Sequence, residues 1–209
     1  MVVENWNSGK FMQKENIWNN QNLINILKEN GVVVMPTDTI YGIVGKALNK
    51  DIVLRIYDIK KRAPEKPCII LIGDVAELEK FSIILSEEQK NRLEECWPIS
   101  AMADIGQQEA ISIILDCPNE KFSYLHRNTK TLAFRLPASK VLRELLLETG
   151  PLIAPSANPE GLPPSRNIAE AKEYFGNFID LYVDGGKVNN KASKLIKLDQ
   201  DGSVTVLRE

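Results

Sequence analysis

Four consecutive apolar residues, Val32, Val33, Val34 and Met35, constrain this chain more than any other stretch. They read as a buried strand, and Pro36 stops it by withholding a ladder donor. Past the stop comes Thr37-Asp38-Thr39-Ile40-Tyr41-Gly42, short hydroxyls and a carboxylate at a strand end, where ligands of α/β sheets sit. This is a candidate binding loop. Ile52, Ile56 and Ile59 then recur at helical spacing, so an amphipathic helix over about 49–59, capped by Asn49, is expected against the sheet. At its end Lys60, Lys61, Arg62 and Lys66 gather within seven residues before 68–72 returns to the core as a second strand. Cations there either complement a helix C-terminus and face solvent or line an anion site. The residues alone leave both open.

The 209 residues suit one compact domain over 1–209, with its informative core at about 20–207. The first sixteen residues lack the apolar core of a signal peptide, and no run approaches the roughly eighteen apolar residues of a membrane span. A cytoplasmic protein without a membrane partner is expected. Cys68, Cys96 and Cys117 are far apart and have no metal-ligand spacing, which points to buried reduced thiols. With 26 basic and 28 acidic residues the formal charge is −2, so no global field draws the chain onto nucleic acid. Any anion site must be local.

Asn19 or Asn20 can cap a first helix with an apolar face of Leu23, Ile24, Ile26 and Leu27. Asp74-x-x-Glu77 and Ser86-x-x-Gln89 read as capping boxes for helices over about 75–81 and 87–96, the second ending at Trp97-Pro98. Strands are expected at 111–115 and 131–136, with the single histidine, His126, solvated in the polar loop between them. In the latter strand Leu132, Phe134 and Leu136 share one face and Thr131, Ala133 and Arg135 the other. An arginine so placed can grip a carboxylate with its forked donors, or form an ordinary salt bridge. Ser139 caps a helix to Thr149, closed by Gly150-Pro151. A short strand at 152–154 opens onto Pro155-Ser156-Ala157-Asn158-Pro159-Glu160-Gly161, by composition a turn. Asn167 starts a helix to Phe175, 179–183 is a strand, Asp184-Gly185-Gly186 a tight turn, and 194–198 pairs with 203–207 as a hairpin.

Taken together, Pro36-Thr37-Asp38-Thr39-Ile40-Tyr41-Gly42-Ile43-Val44-Gly45 and Lys60-Lys61-Arg62-Ala63-Pro64-Glu65-Lys66-Pro67 resemble the YrdC/TsaC family of threonylcarbamoyl-AMP synthases. The strand Thr131-x-Ala133-x-Arg135, the Pro155-Ser156-Ala157-Asn158 loop and the Asp184-Gly185-Gly186…Ser193 ending are similar to the family's later motifs. The resemblance covers about 31–198. It implies an α/β (α+β) fold, a twisted mixed sheet with flanking helices and a concave ligand cleft. It implies catalytic roles for Lys60 and Arg62, threonine contacts from Thr39, Arg135 and Ser156, and ATP contacts from Arg62, Lys66, Thr131, Asn158, Arg166 and Ser193. Mg2+ would arrive with ATP, without protein side-chain ligands. Departures are Ala63 for a usual proline, Glu160 for a usual serine and Lys194 for a usual threonine. The largest follows Trp97-Pro98, where residues 99–110 replace a short glycine turn.

The implied reaction joins L-threonine, bicarbonate and ATP into threonylcarbamoyl-adenylate and pyrophosphate, upstream of tRNA and the threonylcarbamoyl-transferase complex. Three anionic reactants call for fixed cations, phosphate donors and exclusion of water more than for a nucleophile. The sequence agrees in carrying no Ser-His-Asp set, histidine cluster or Walker loop. Two other readings stay open at this stage: a paralogue with lost or altered activity, suggested by the altered 99–110 segment, and an RNA-binding module, suggested by the local basicity at 60–66.

Overall fold

The computed structural model describes residues 17–98 and 109–209, so the departure at 99–110 lies outside the described residues up to position 108. In chain order the elements are α1 (Gln21–Lys28), β1 (Val33–Pro36), β2 (Tyr41–Lys46), α2 (Lys50–Lys60), β3 (Ile69–Leu71), α3 (Glu87–Cys96) and β4 (Ile111–Asp116). There follow α4 (Ser123–His126), β5 (Thr131–Arg135), α5 (Lys140–Thr149), β6 (Leu152–Ile153), α6 (Ile168–Phe175), β7 (Leu181–Tyr182), β8 (Lys194–Leu198) and β9 (Val204–Arg208). The strands form one mixed sheet in the order β7-β1-β2-β6-β3-β5-β4-β8-β9. Pairing is parallel at β1/β7, β3/β5 and β4/β8 and antiparallel elsewhere.

The apolar run in β1 is explained by burial on both faces. Val32 and Val34 join a core with Ile52 and Ile56 of α2, Leu93 of α3 and Phe175 of α6. Val33 and Met35 join a second core with Leu23 and Leu27 of α1 and Leu142 and Leu146 of α5. Gly45 lets α2 lie close on β2, since a Cβ there would stand 2.5 Å from Ile52 Cγ2. Pro36 closes β1 from within rather than from beyond it, opposite Tyr41. Its carbonyl accepts the Trp18 indole N–H at 2.9 Å.

Caps fall where short polar side chains can reach free amides. Asn20 caps α1 and Asn49 caps α2, each accepting from two backbone N–H groups. Ser86 and Gln89 close a capping box on α3. The box expected at Asp74 and Glu77 does not form: Asp74 accepts from the Ala76 amide, while the Glu77 carboxylate turns back to the Gly73 amide at 2.7 Å. That segment is accordingly a 3-10 helix, Val75–Phe81, and not an α-helix. His126 also differs from expectation. It is fully buried at the end of α4. Arg127, Asn128 and Lys130 take positive φ of 51°, 70° and 59°, a sharp turn that tucks the ring inward. Its Nδ1 accepts the Asn128 amide at 3.2 Å.

Residues paired across a sheet share a face, and that rule places the cleft. Leu71 lies opposite Arg135, and Ile69 opposite Ala133, which in turn faces Ile114. At Leu71 and Leu152 this face is covered by α5. Farther across, at Ile69, Ala133, Ile114 and Leu195, the same face becomes the floor of an open cleft. The β8–β9 ladder slips between Leu195 and Ile196: Val206 faces Ile196, but Arg208, not Leu207, faces Leu195. The bulge therefore moves Arg208 to the cleft face, which simple alternation would deny it. No helix among the described residues is long and apolar enough to cross a membrane.

Candidate active site

The cleft holds about 560 Å³ and is walled by the 37–42 loop, the 154–156 segment, Arg62, Pro67 and the last two strands. Thr37 anchors the first wall. Its amide and hydroxyl both donate to the Ile40 carbonyl, at 3.0 and 2.8 Å, and its Oγ1 stands 3.1 Å from that of Thr39. Tyr41 ties this loop to the Asp184-Gly185-Gly186 turn, accepting the Gly185 amide and donating to the Gly186 carbonyl, each at 2.9 Å. Gly42 bridges to Ser156 and brings the opposite wall close.

Arg135 projects from β5 with 4% of its surface exposed. Its Nη2 donates to Thr37 Oγ1 at 3.2 Å and stands 2.9 Å from Asp38 Oδ1. The second contact is an ion pair outside hydrogen-bond geometry, and among the described residues neither Asp38 Oδ1 nor, separately, Arg135 Nε has a hydrogen-bond partner. Two further guanidinium groups line the cleft with no ion pair to a carboxylate among the described residues. Arg62 donates to the Lys66 and Pro67 carbonyls at 3.0 and 2.9 Å. Arg208 donates to the Ser193 carbonyl at 3.1 and 2.7 Å. Burial, and then the charge of Arg135, hold the Arg208 pKa below its ordinary value. Ser193 is itself buried, its hydroxyl 2.7 Å from that of Ser112.

Six of the residues singled out from sequence meet in this cleft: Thr39, Arg62, Thr131, Arg135, Ser156 and Ser193. Four stand elsewhere. Lys60 is buried, and its ammonium donates to the Ser156 and Asn158 carbonyls. Burial, with Arg62 beside it, lowers its pKa to about 8. It reaches the cleft wall from behind. Asn158 donates to the Pro159 and Leu162 carbonyls at 2.9 and 2.7 Å and so holds its own loop. Lys66 is paired with Glu160, which also accepts the Ala63 amide. Arg166 pairs with Glu170 at 3.1 Å and lines a neighbouring depression of about 720 Å³ that shares Ile40, Pro164 and Ala192 with the cleft.

Sequence reasoning missed Arg208, because alternation along β9 groups it with Val204 and Val206. Only the bulge turns it inward. Cys68 also lines the cleft. Burial pushes its pKa up, so it remains a thiol near neutral pH and offers no nucleophile. Among the described residues no group of three or more His, Cys, Asp or Glu is placed to hold a metal ion. The described residues that line the cleft include no aromatic side chain.

The sequence model of the Sua5/YciO/YrdC family, described as "Telomere recombination", matches residues 25–209. The chain is 34% identical over 164 residues to the threonylcarbamoyl-AMP synthase of Bacillus subtilis (strain 168), covering 77% of this chain and 44% of that protein. It thus spans less than half the length of that relative. It is 27% identical over 172 residues to the threonylcarbamoyl-AMP synthase of Pseudomonas aeruginosa (strain UCBPP-PA14), covering 82% of this chain and 88% of that one. Among solved structures, P. abyssi Sua5 complexed with L-threonine superposes with a TM-score of 0.73 at 25% identity, over 93% of this chain and 54% of that one.

Proposed function

The chain belongs to the Sua5/YciO/YrdC family, and from that premise we propose that it makes threonylcarbamoyl-AMP and pyrophosphate from L-threonine, bicarbonate and ATP. The product would serve the threonylcarbamoyl modification of tRNA by a downstream transferase complex in the cytoplasm. One observation carries the reading: a single cleft holds three guanidinium groups, one ion-paired with a carboxylate and two hydrogen-bonded to backbone carbonyls. The ion-paired arginine suits an amino acid, and the two without a paired carboxylate suit a nucleotide.

In this reading Arg135 takes the threonine carboxylate, with the Thr39 and Ser156 hydroxyls beside it. Arg62, Thr131, Ser193 and Arg208 face the phosphates. Lys60 and Asn158 act from behind by fixing the Ser156 loop, and Lys66 and Arg166 reach ATP only by leaving Glu160 and Glu170. The neutral threonine amine bonds to the carbon of carbon dioxide, which bicarbonate releases together with hydroxide, and the proton the nitrogen loses combines with that hydroxide to leave as water. An oxygen of the resulting carbamate then attacks the α-phosphorus, and the bond to pyrophosphate breaks. Fixed donors in a partly enclosed cleft stabilise the charge that shifts onto the leaving phosphates. No covalent bond to the protein is needed.

Mg2+ would enter with ATP. The described residues of the lining offer hydroxyls and arginines, and Asp38 beside them is paired with Arg135, so the ion would be left to phosphate oxygens and water. Bound there, it would neutralise phosphate charge. Pyrophosphate release by the purified chain tests the reading. It should require threonine and bicarbonate together. No release beside an active sample of the B. subtilis relative would overturn it.

A further inference from the structure

We infer that Tyr57 is a positioning residue for Arg62, bracing that guanidinium from outside the cleft, with Arg127 stacked on the Tyr57 ring to fix it. The anion that Arg62 meets rests on the synthase reading; the bracing rests on the geometry. Arg62 bonds to carbonyls of its own turn, those of Lys66 and Pro67, so it is placed no better than that turn is. Tyr57 grips the turn at both ends. Its carbonyl accepts the Arg62 amide at 3.0 Å, and its hydroxyl donates at 2.7 Å to the Lys66 carbonyl, the oxygen that also accepts Arg62 Nε. A carbonyl oxygen can take both donors.

The ring is itself held. Tyr57 lies on α2, is 5% exposed and belongs to the core that contains Ile56 and Ile70. The Arg127 guanidinium lies 3.9 Å from the ring centroid, brought there by the left-handed turn after α4. A planar cation stacked on a buried ring fixes the plane of both. Arg62 stands 5.9 Å from the same centroid, so the ring that carries Arg127 also limits where Arg62 can swing. Burial holds the Tyr57 pKa above its ordinary value, and its hydroxyl stays a donor near neutral pH. Glu160 ties the same turn at the Ala63 amide and the Lys66 ammonium, but a carboxylate accepts only and leaves both Arg62 carbonyls alone. Neither Tyr57 nor Arg127 lines the cleft. Their effect on a ligand therefore passes through Arg62.

The test is a double-mutant cycle in ATP binding by calorimetry, with Tyr57→Phe made in the wild-type and Arg62→Ala backgrounds and melting curves to establish folding. Phenylalanine keeps the ring and the Arg127 stack and removes only the bond to Lys66. ATP affinity should fall about threefold to tenfold in the wild-type background and stay level in the Arg62→Ala background, with L-threonine affinity unchanged in both. Arg127→Met should give the same pattern, and Arg127→Lys, which keeps the charge without a flat face, should not rescue it. Equal losses in both backgrounds, or no loss in the first, overturn the inference. So does a parallel loss of threonine affinity, the mark of a merely structural role. Rescue by Arg127→Lys overturns the part assigned to the stack. Product synthesis by the same wild-type sample separates the two claims: ATP binding with the coupling intact but no product overturns the synthase reading and supports the bracing, whereas no ATP binding overturns both.

Discussion

Two sets of arginines line the cleft and use the same side chain in opposite ways. Arg135 is buried, bonded to a hydroxyl and ion-paired with Asp38. In the same cleft Arg62 and Arg208 are held by carbonyl oxygens that orient the guanidinium and leave its charge in place, Arg208 near enough to Arg135 to feel its charge. A carbonyl and a carboxylate position an arginine equally well, but only the carboxylate cancels it. On the synthase reading proposed above, the ion-paired Arg135 meets the amino acid, and Arg62 and Arg208 meet polyanionic ATP.

The largest expected effect falls on the buried arginine. Arg135→Ala removes a desolvated partner and leaves Asp38 buried and alone, so threonine binding should weaken by roughly 2–5 kcal/mol with ATP binding little changed. Equal losses for both ligands in calorimetry would erase the distinction between the two sets. Arg208→Ala should show the mirror pattern. Loss of a charged donor to phosphate should lower ATP affinity by about 1.5–3 kcal/mol and spare threonine.

Lys60 sharpens the comparison from behind the wall. Its folded pKa of about 8 lies below its ordinary 10.5, so above pH 8 the unfolded chain holds more protons than the folded one and stability rises with pH. Cys68, Cys96 and Cys117, all raised above 9.0, act in the opposite sense from pH 9 upward. The clean window is pH 8–9. Chemical denaturation should show a gain of about 1 kcal/mol across it, absent from Lys60→Met. The smallest effect belongs to Glu160→Ser. Freeing Lys66 from an exposed pair should raise ATP affinity by no more than about threefold, and a loss in the same titration would mean that Glu160 instead orders the loop for ATP.

Much of this was legible in the sequence because it rests on periodicity and local chemistry. The Val32-to-Met35 run, the caps at Asn49 and Ser86, and the Arg135 face of β5 follow from rules that act within a few residues. What escaped depends on partners distant in sequence. Local spacing puts Lys60 in a cation cluster that either faces solvent or lines an anion site, yet its ammonium crosses to carbonyls nearly a hundred positions away. Arg208 was hidden by a one-residue slip in a ladder, and His126 by three left-handed residues after it. Local spacing gives neither a register shift nor a burial. The cleft was found where the motifs pointed; which of their side chains face it and which brace it required the fold.

Carbon-13 bicarbonate supplied with ATP, threonine and Mg2+ tests the central claim most directly, with the nucleotide product weighed by mass spectrometry. The account predicts a threonine-dependent adenylate one mass unit heavier than that formed from unlabelled bicarbonate. An adenylate that carries threonine but never the label, or no adenylate beside an active relative, would contradict it.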